Sequence, residues 1–210
     1  MKSIRSRWFS ILLLGLVCLP SLAAPAEAPV ILVLGDSLSA GYGIPAEQGW
    51  VSLLQRRLAE RGFPHQVVNA SISGDATSGG LSRLPAALER HRPALVVLEL
   101  GANDGLRGQP PMAMASNLGR MIELSRQAGA QVLLAEMRIP PNYGLLYAQK
   151  FQATFGELAK RYDIPLIPFL LEGVAGNPAL IQDDGLHPRA EAQARILDNV
   201  WPTLEPLLAR

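Results

Sequence analysis

Two stretches of this chain lack the polar residues that a strand facing water would carry. Val30 to Leu34 (VILVL) is β-branched or leucine at every position, and Ala94 to Leu100 (ALVVLEL) is apolar almost throughout. A strand solvated on one face alternates; one buried on both faces of a parallel sheet does not. Both runs stop at glycine turns, Gly35-Asp36-Ser37 and Gly101-Ala102-Asn103-Asp104-Gly105. Further strands are expected at Gln66 to Ala70, Gln131 to Glu136 and Pro165 to Leu170. Helical spacing is expected over Gly49 to Arg61, Leu81 to His91, Pro111 to Ala128, Tyr143 to Tyr162 and from Pro188 or Arg189 onward.

Strand and helix therefore alternate five times. A parallel connection needs a crossover long enough to hold a helix, so the pattern predicts an α/β three-layer sandwich. The expected order is the flavodoxin-like 2-1-3-4-5, with helices on both faces of a five-stranded parallel sheet. In that topology the loops after strands one, two, three and five meet at one rim. They carry Ser37, Gly74, Asn103 and the pair Asp184 and His187.

Composition bounds the rest. With 210 residues, 49% apolar and 18% charged, the chain has enough apolar side chains to fill one core, and a single domain over residues 24–210 is expected. A net charge of +1 without an internal basic run argues against a nucleic-acid partner. Lys2, Arg5 and Arg7, the apolar run Trp8 to Leu19 and the small residues Ser21-Leu22-Ala23 read as a signal peptide over residues 1–23, cleaved near Ala23. That run is shorter than the roughly 20 residues a membrane span requires, so export without a stable anchor is expected. Cleavage removes three of the 19 basic residues and leaves 16 against 18 acidic. Cys18, the one cysteine, falls inside the leader. The mature protein is then expected to lack disulfides and thiolate chemistry, and to be a monomer.

The rim residues fit acyl transfer. A serine hydroxyl attacks a carbonyl only when an imidazole takes its proton, and that imidazole needs a carboxylate to fix its tautomer. Asp184-x-x-His187 supplies base and acid within one turn, and Ser37 supplies the hydroxyl. An oxyanion needs donors, for which the N–H groups of Ser37 and Gly74 and the Asn103 amide are candidates. Each residue alone has an ordinary loop role; their meeting on one rim is what points to chemistry. Asp183 beside Asp184 raises the alternative of a metal site. One Asp-x-x-His with no second histidine nearby falls short of a ligand set, so no metal or cofactor is expected. His65 and His91 are expected to be exposed and without function.

The blocks GDSLSAGYG, ASISGD, GANDGLRG and DDGLHP resemble, in order and context, the four signature blocks of the SGNH (GDSL) hydrolases, across about residues 30 to 205. The segments VVNASISGD, SRLPAAL, PPNYG and FLLEGV look most like the bacterial periplasmic thioesterase, arylesterase and lysophospholipase branch. The resemblance implies Ser37 as nucleophile, His187 as general base, Asp184 as its orienting acid, Gly74 and Asn103 as oxyanion donors, and Asp36 as support for the nucleophile's loop. The chain departs from that branch at Ala102, where a glycine is common. A left-handed backbone there would strain the Asn103 loop.

Leu106, Met112, Tyr143, Leu145 and Leu146 are expected to line a shallow groove for an aliphatic or aryl acyl group. The substrate is therefore expected to be a small-molecule or lipid ester or thioester. Alternatives are a carbohydrate acetylesterase of the same fold and, from another class, a binding protein that has lost its chemistry; the full set of polar groups argues against the latter.

Overall fold

The computed structural model describes residues 28–208, so the leader and Cys18 lie outside the described residues. Five strands, β1 (Val30–Gly35), β2 (Gln66–Asn69), β3 (Leu95–Glu99), β4 (Gln131–Ala135) and β5 (Leu166–Ile167), form a parallel sheet in the order β2-β1-β3-β4-β5. Ile31 to Leu34 of β1 and Val96 to Leu98 of β3 are fully buried, which is why neither run alternates. The register sets Gly35 opposite Glu99, so the two glycine turns leave the sheet side by side.

Short helix α1 (Ser37–Ala40) follows β1 directly, and the long helices are α2 (Trp50–Glu60), α3 (Thr77–His91), α5 (Pro111–Gln127), α6 (Leu145–Tyr162) and α7 (Gln193–Leu204). A second short helix, α4 (Ala102–Leu106), follows β3. Helices α2 and α7 pack together, while α3, α5 and α6 pack in a row. Right-handed crossovers in this strand order put those two groups on opposite faces. Trp50, Leu54 and Leu58 meet Ile196, Val200 and Leu204 on one side; Leu84, Leu118, Met121, Phe151 and Phe155 fill the other.

Four element boundaries differ from expectation. Helix α3 begins at Thr77 rather than Leu81. The Asp104 carboxylate receives the Thr77 N–H at 2.8 Å and its hydroxyl at 2.5 Å, satisfying a first-turn donor that no neighbouring side chain caps. Strand β5 is two residues long because Pro168 has no N–H to continue the ladder. Helix α6 starts at Leu145 after a 3-10 turn at Pro141–Tyr143, and α7 follows another at Ala190–Ala192. His65 is 5% exposed rather than exposed: its ring meets Phe63 edge-on at 6.2 Å and burial lowers its pKa. Among the described residues no helix is long and apolar enough to cross a membrane.

Candidate active site

The carboxyl ends of β1, β2 and β3 and the loop before α7 converge on one rim of the sheet. Ser37 is the first residue of α1, with Asp36 as its N-cap, the carboxylate accepting from Leu38 N–H at 3.0 Å. The chain can make this turn only with glycine before it: a Cβ on Gly35 would fall 2.5 Å from Glu99 Oε2 and 2.8 Å from Ser39 Oγ. Ser37 is 9% exposed, and its Oγ lies 2.9 Å from His187 Nε2.

The acid and base come from a closed loop rather than the helical turn suggested by their spacing. Ile181 and Pro188 pair as an antiparallel bridge, Gln182 N–H donates to the His187 carbonyl at 2.7 Å, and Gly185 turns the chain at φ 73°. Inside this loop Asp184 Oδ2 is 2.6 Å from His187 Nδ1, while Oδ1 accepts the N–H groups of Leu186 at 2.9 Å and His187 at 3.0 Å. Hydrogen bonds from the His187 backbone and ring, then from Leu186, pull the Asp184 carboxyl down to about 2, so it is ionised at any working pH. Nδ1 then carries the hydrogen toward Asp184 and Nε2 presents a lone pair to Ser37. Tyr42 stacks against the imidazole, centroids 4.4 Å apart, and Gln182 Nε2 donates to the Tyr42 carbonyl at 2.8 Å, joining the loop to the nucleophile's side of the rim. Asp183, the conceivable metal ligand, instead pairs with Arg189 at 2.6 Å.

Asn103 sits in the first turn of α4, and its amide donates to Asp36 Oδ2 at 3.1 Å, leaving one of its two hydrogens for another acceptor. The backbone N–H groups of Ser37 and Gly74 find no acceptor among the described residues, whereas the Gly74 carbonyl takes Arg107 Nη2 at 2.8 Å. Ala102 does not strain the loop. The left-handed position is Gly101, at φ 121°, and Ala102 begins α4 in ordinary helical conformation.

A cavity of about 540 Å³ opens beside Ser37, Asn103 and His187. Its apolar wall comes from Leu38, Leu106, Met137, Ile139, Phe169, Leu171 and Ile181. Of the five side chains expected to form a groove, only Leu106 is on this wall. Met112 is 84% exposed, and Tyr143, Leu145 and Leu146 are exposed too, because the turns before α5 and α6 carry them past the cavity's edge. Gly74 also lies off the wall. Phe169 is expected in a strand running to Leu170, and residues 171–181 have neither strand nor helix periodicity, so the sequence alone gives no sign that this segment lines the cavity.

Glu99, which no sequence motif singles out, is fully buried beneath the nucleophile's turn. Its Oε2 accepts from Ser39 Oγ at 2.6 Å and from Asp36 N–H at 3.3 Å, while Oε1 has no partner. Burial first, and the neighbouring Asp36 second, push Glu99 well above 4.5; burial raises Asp36 to about 6. The shared proton belongs on Glu99, since Asp36 has two N–H donors and Glu99 an unpaired oxygen that tolerates a charge badly. Folding therefore takes up a proton above pH 4.5, where an unfolded glutamate releases it, and stability falls as pH rises through that window. Asp36 acts in the same sense between 3.8 and about 6. Asp184 acts oppositely: its contribution is present above 3.8 and is lost as pH falls toward 2. Glu99→Gln should consequently flatten the decline in denaturant midpoint between pH 5 and pH 8, while lowering absolute stability by about 1–3 kcal/mol because the new amide hydrogens lack an acceptor. Equal slopes in the two proteins would mean that Glu99 is ionised in the folded state.

The sequence model of the GDSL-like lipase/acylhydrolase family matches residues 33–195. The chain belongs to that family. It is 51% identical to the esterase TesA of Pseudomonas aeruginosa over 199 residues, covering 95% of this chain and 99% of the relative. It is 45% identical to the thioesterase 1/protease 1/lysophospholipase L1 of Escherichia coli K12 over 183 residues, covering 87% and 86%. A crystal structure of TesA superposes with a TM-score of 0.84 at 53% identity, covering 85% of this chain and 99% of that one. The strand order described above is thus that of a GDSL-like acylhydrolase, and the chain is an SGNH-type esterase/thioesterase.

Proposed function

We propose that this chain is an exported serine hydrolase that cleaves carboxylic esters and acyl thioesters, including acyl-CoA and lysophospholipids, through an acyl-enzyme on Ser37. The observation that carries the proposal is the unbroken relay from Ser37 Oγ through His187 to Asp184 on the wall of an apolar cavity. Ser37 Oγ attacks the acyl carbon as its proton passes to His187 Nε2, and Asp184 stabilises the imidazolium. The carbonyl oxygen takes the displaced electron pair and is met by the N–H groups of Ser37 and Gly74 and the free hydrogen of the Asn103 amide. Collapse expels the alcohol or thiol, which receives the proton from His187. Water, deprotonated by the same imidazole, then releases the acid and restores Ser37. Asp36 and Glu99 hold the nucleophile's turn, Asp36 from the cavity wall and Glu99 from beneath it. The relatives' names, esterase in one case and thioesterase with lysophospholipase in the other, support a site open to both ester types. The basic, apolar and small-residue order of residues 1–23 supports export to the periplasm as the mature domain 24–210.

The apolar wall favours an acyl chain longer than acetyl. A buried methylene is worth about 0.8 kcal/mol, or up to about fourfold in kcat/KM. On p-nitrophenyl esters of increasing length, kcat/KM should rise from acetate by up to that factor per methylene until the cavity is filled, and acyl-CoA thioesters of matching length should be cleaved. Highest activity on acetate with steady decline thereafter would replace this reading with an acetylesterase; inactivity on every thioester would restrict it to oxygen esters.

A further inference from the structure

We infer that Arg83 is a positioning residue that locks the loop bearing Gly74 to the turn bearing Ser37. The inference rests on the assignment of those two N–H groups to the oxyanion. Arg83 lies on α3, off the cavity wall, and its guanidinium joins three segments. Nε donates to Asp75 Oδ2 at 2.7 Å, Nη1 to the Ala70 carbonyl, and Nη2 to the Gly35 carbonyl at 3.1 Å. Gly35 is two residues before the nucleophile, Ala70 is where β2 enters the loop, and Asp75 follows Gly74. The loop is held at both ends and against β1 by one side chain.

The surroundings are shaped for this contact. The side chains of Arg83 and Asp75 are 22% and 13% exposed, and the Gly35 carbonyl also receives Ile72 N–H at 3.1 Å, so one carbonyl ties the nucleophile's turn to the loop and to Arg83 together. The first turn of α3 is cut away beneath the carboxylate: a Cβ on Gly79 would fall 1.9 Å from Asp75 Oδ1. A planar guanidinium with five fixed donors can span three diverging acceptors; a lysine ammonium on a flexible stem cannot hold them in one arrangement. Arg107 also bonds the Gly74 carbonyl, but its contact is exposed, which leaves Arg83 as the shielded tie. An oxyanion donor misplaced by a few tenths of an ångström loses its advantage in the transition state and changes ground-state binding little. Arg83 should therefore act on kcat and hardly on KM.

The test uses Arg83→Met, Arg83→Lys and Asp75→Asn in the mature enzyme, with kcat and KM on a p-nitrophenyl ester, Tm, and the affinity of an alkylboronic acid, which becomes tetrahedral on Ser37 and projects an oxygen toward the same donors. Arg83→Met should lower kcat roughly 10- to 100-fold with KM within about twofold, and weaken the boronate by a similar factor. Arg83→Lys should recover only part of the loss. Should Arg83→Met fail to fold, Asp75→Asn carries the test, since it keeps both backbone contacts: about a 3- to 10-fold loss in kcat with Tm within a few degrees is expected. A folded Arg83→Met or Asp75→Asn with wild-type kcat and boronate affinity overturns the inference. If Asn103→Ala also keeps wild-type kcat, the oxyanion assignment itself has failed; if Asn103→Ala is impaired and the Arg83 and Asp75 variants are not, only the role of Arg83 has.

Discussion

Ser37→Ala should fold like the wild type and hydrolyse p-nitrophenyl esters with kcat lowered roughly 10⁴- to 10⁶-fold. Among the described residues the Oγ has one polar partner, His187 Nε2 at 2.9 Å, so its removal costs the fold at most about 1 kcal/mol. It costs the chemistry everything that depends on a covalent intermediate, leaving what the oxyanion donors and binding achieve with water alone. Matched Tm curves and progress curves on purified protein check both halves. More than about 1% residual activity at unchanged Tm, once contaminating wild-type enzyme is ruled out by active-site titration, would show that another group attacks the acyl carbon.

Asn103→Ala should lower kcat roughly 10²- to 10³-fold with KM nearly unchanged. Two effects are superimposed here, because the Asn103 amide also donates to Asp36 Oδ2 and helps to keep that carboxyl from rising further. They separate with pH. Loss of an oxyanion donor lowers kcat by the same factor throughout, whereas loss acting through Asp36 is recovered only as pH climbs past the variant's further raised Asp36, above the wild-type value of about 6. A loss under tenfold that vanishes at high pH would reduce Asn103 to a partner of Asp36.

What could be read in the sequence was what neighbouring residues decide among themselves. The runs Val30–Leu34 and Ala94–Leu100 announced doubly buried strands because burial on both faces leaves no polar position, and Asp184 and His187 stood out because acid and base lie three residues apart. Pro168 was equally local and truncates β5, though hydrophobicity alone had suggested a longer strand. Features set by distant partners were invisible. The start of α3 depends on Asp104, 27 residues on; the burial of Glu99 depends on Ser39, 60 residues back. A carboxylate two residues before a glycine turn in an otherwise apolar strand was the available sign. The acyl wall escaped for a different reason: apolar residues in irregular segments show no period, so nothing in the sequence ranked Phe169 and Leu171 above Leu145 and Leu146.

The closure of Ile181 against Pro188 makes base and acid one rigid unit, while the hydroxyl belongs to the sheet. A shift in how that unit is seated changes its contacts with the nucleophile's side, imidazole to alcohol and Gln182 to the Tyr42 carbonyl, and leaves the carboxylate's grip on the ring intact. The tautomer that aims Nε2 at Ser37 is therefore fixed within the loop itself and does not depend on the loop's fit against the sheet.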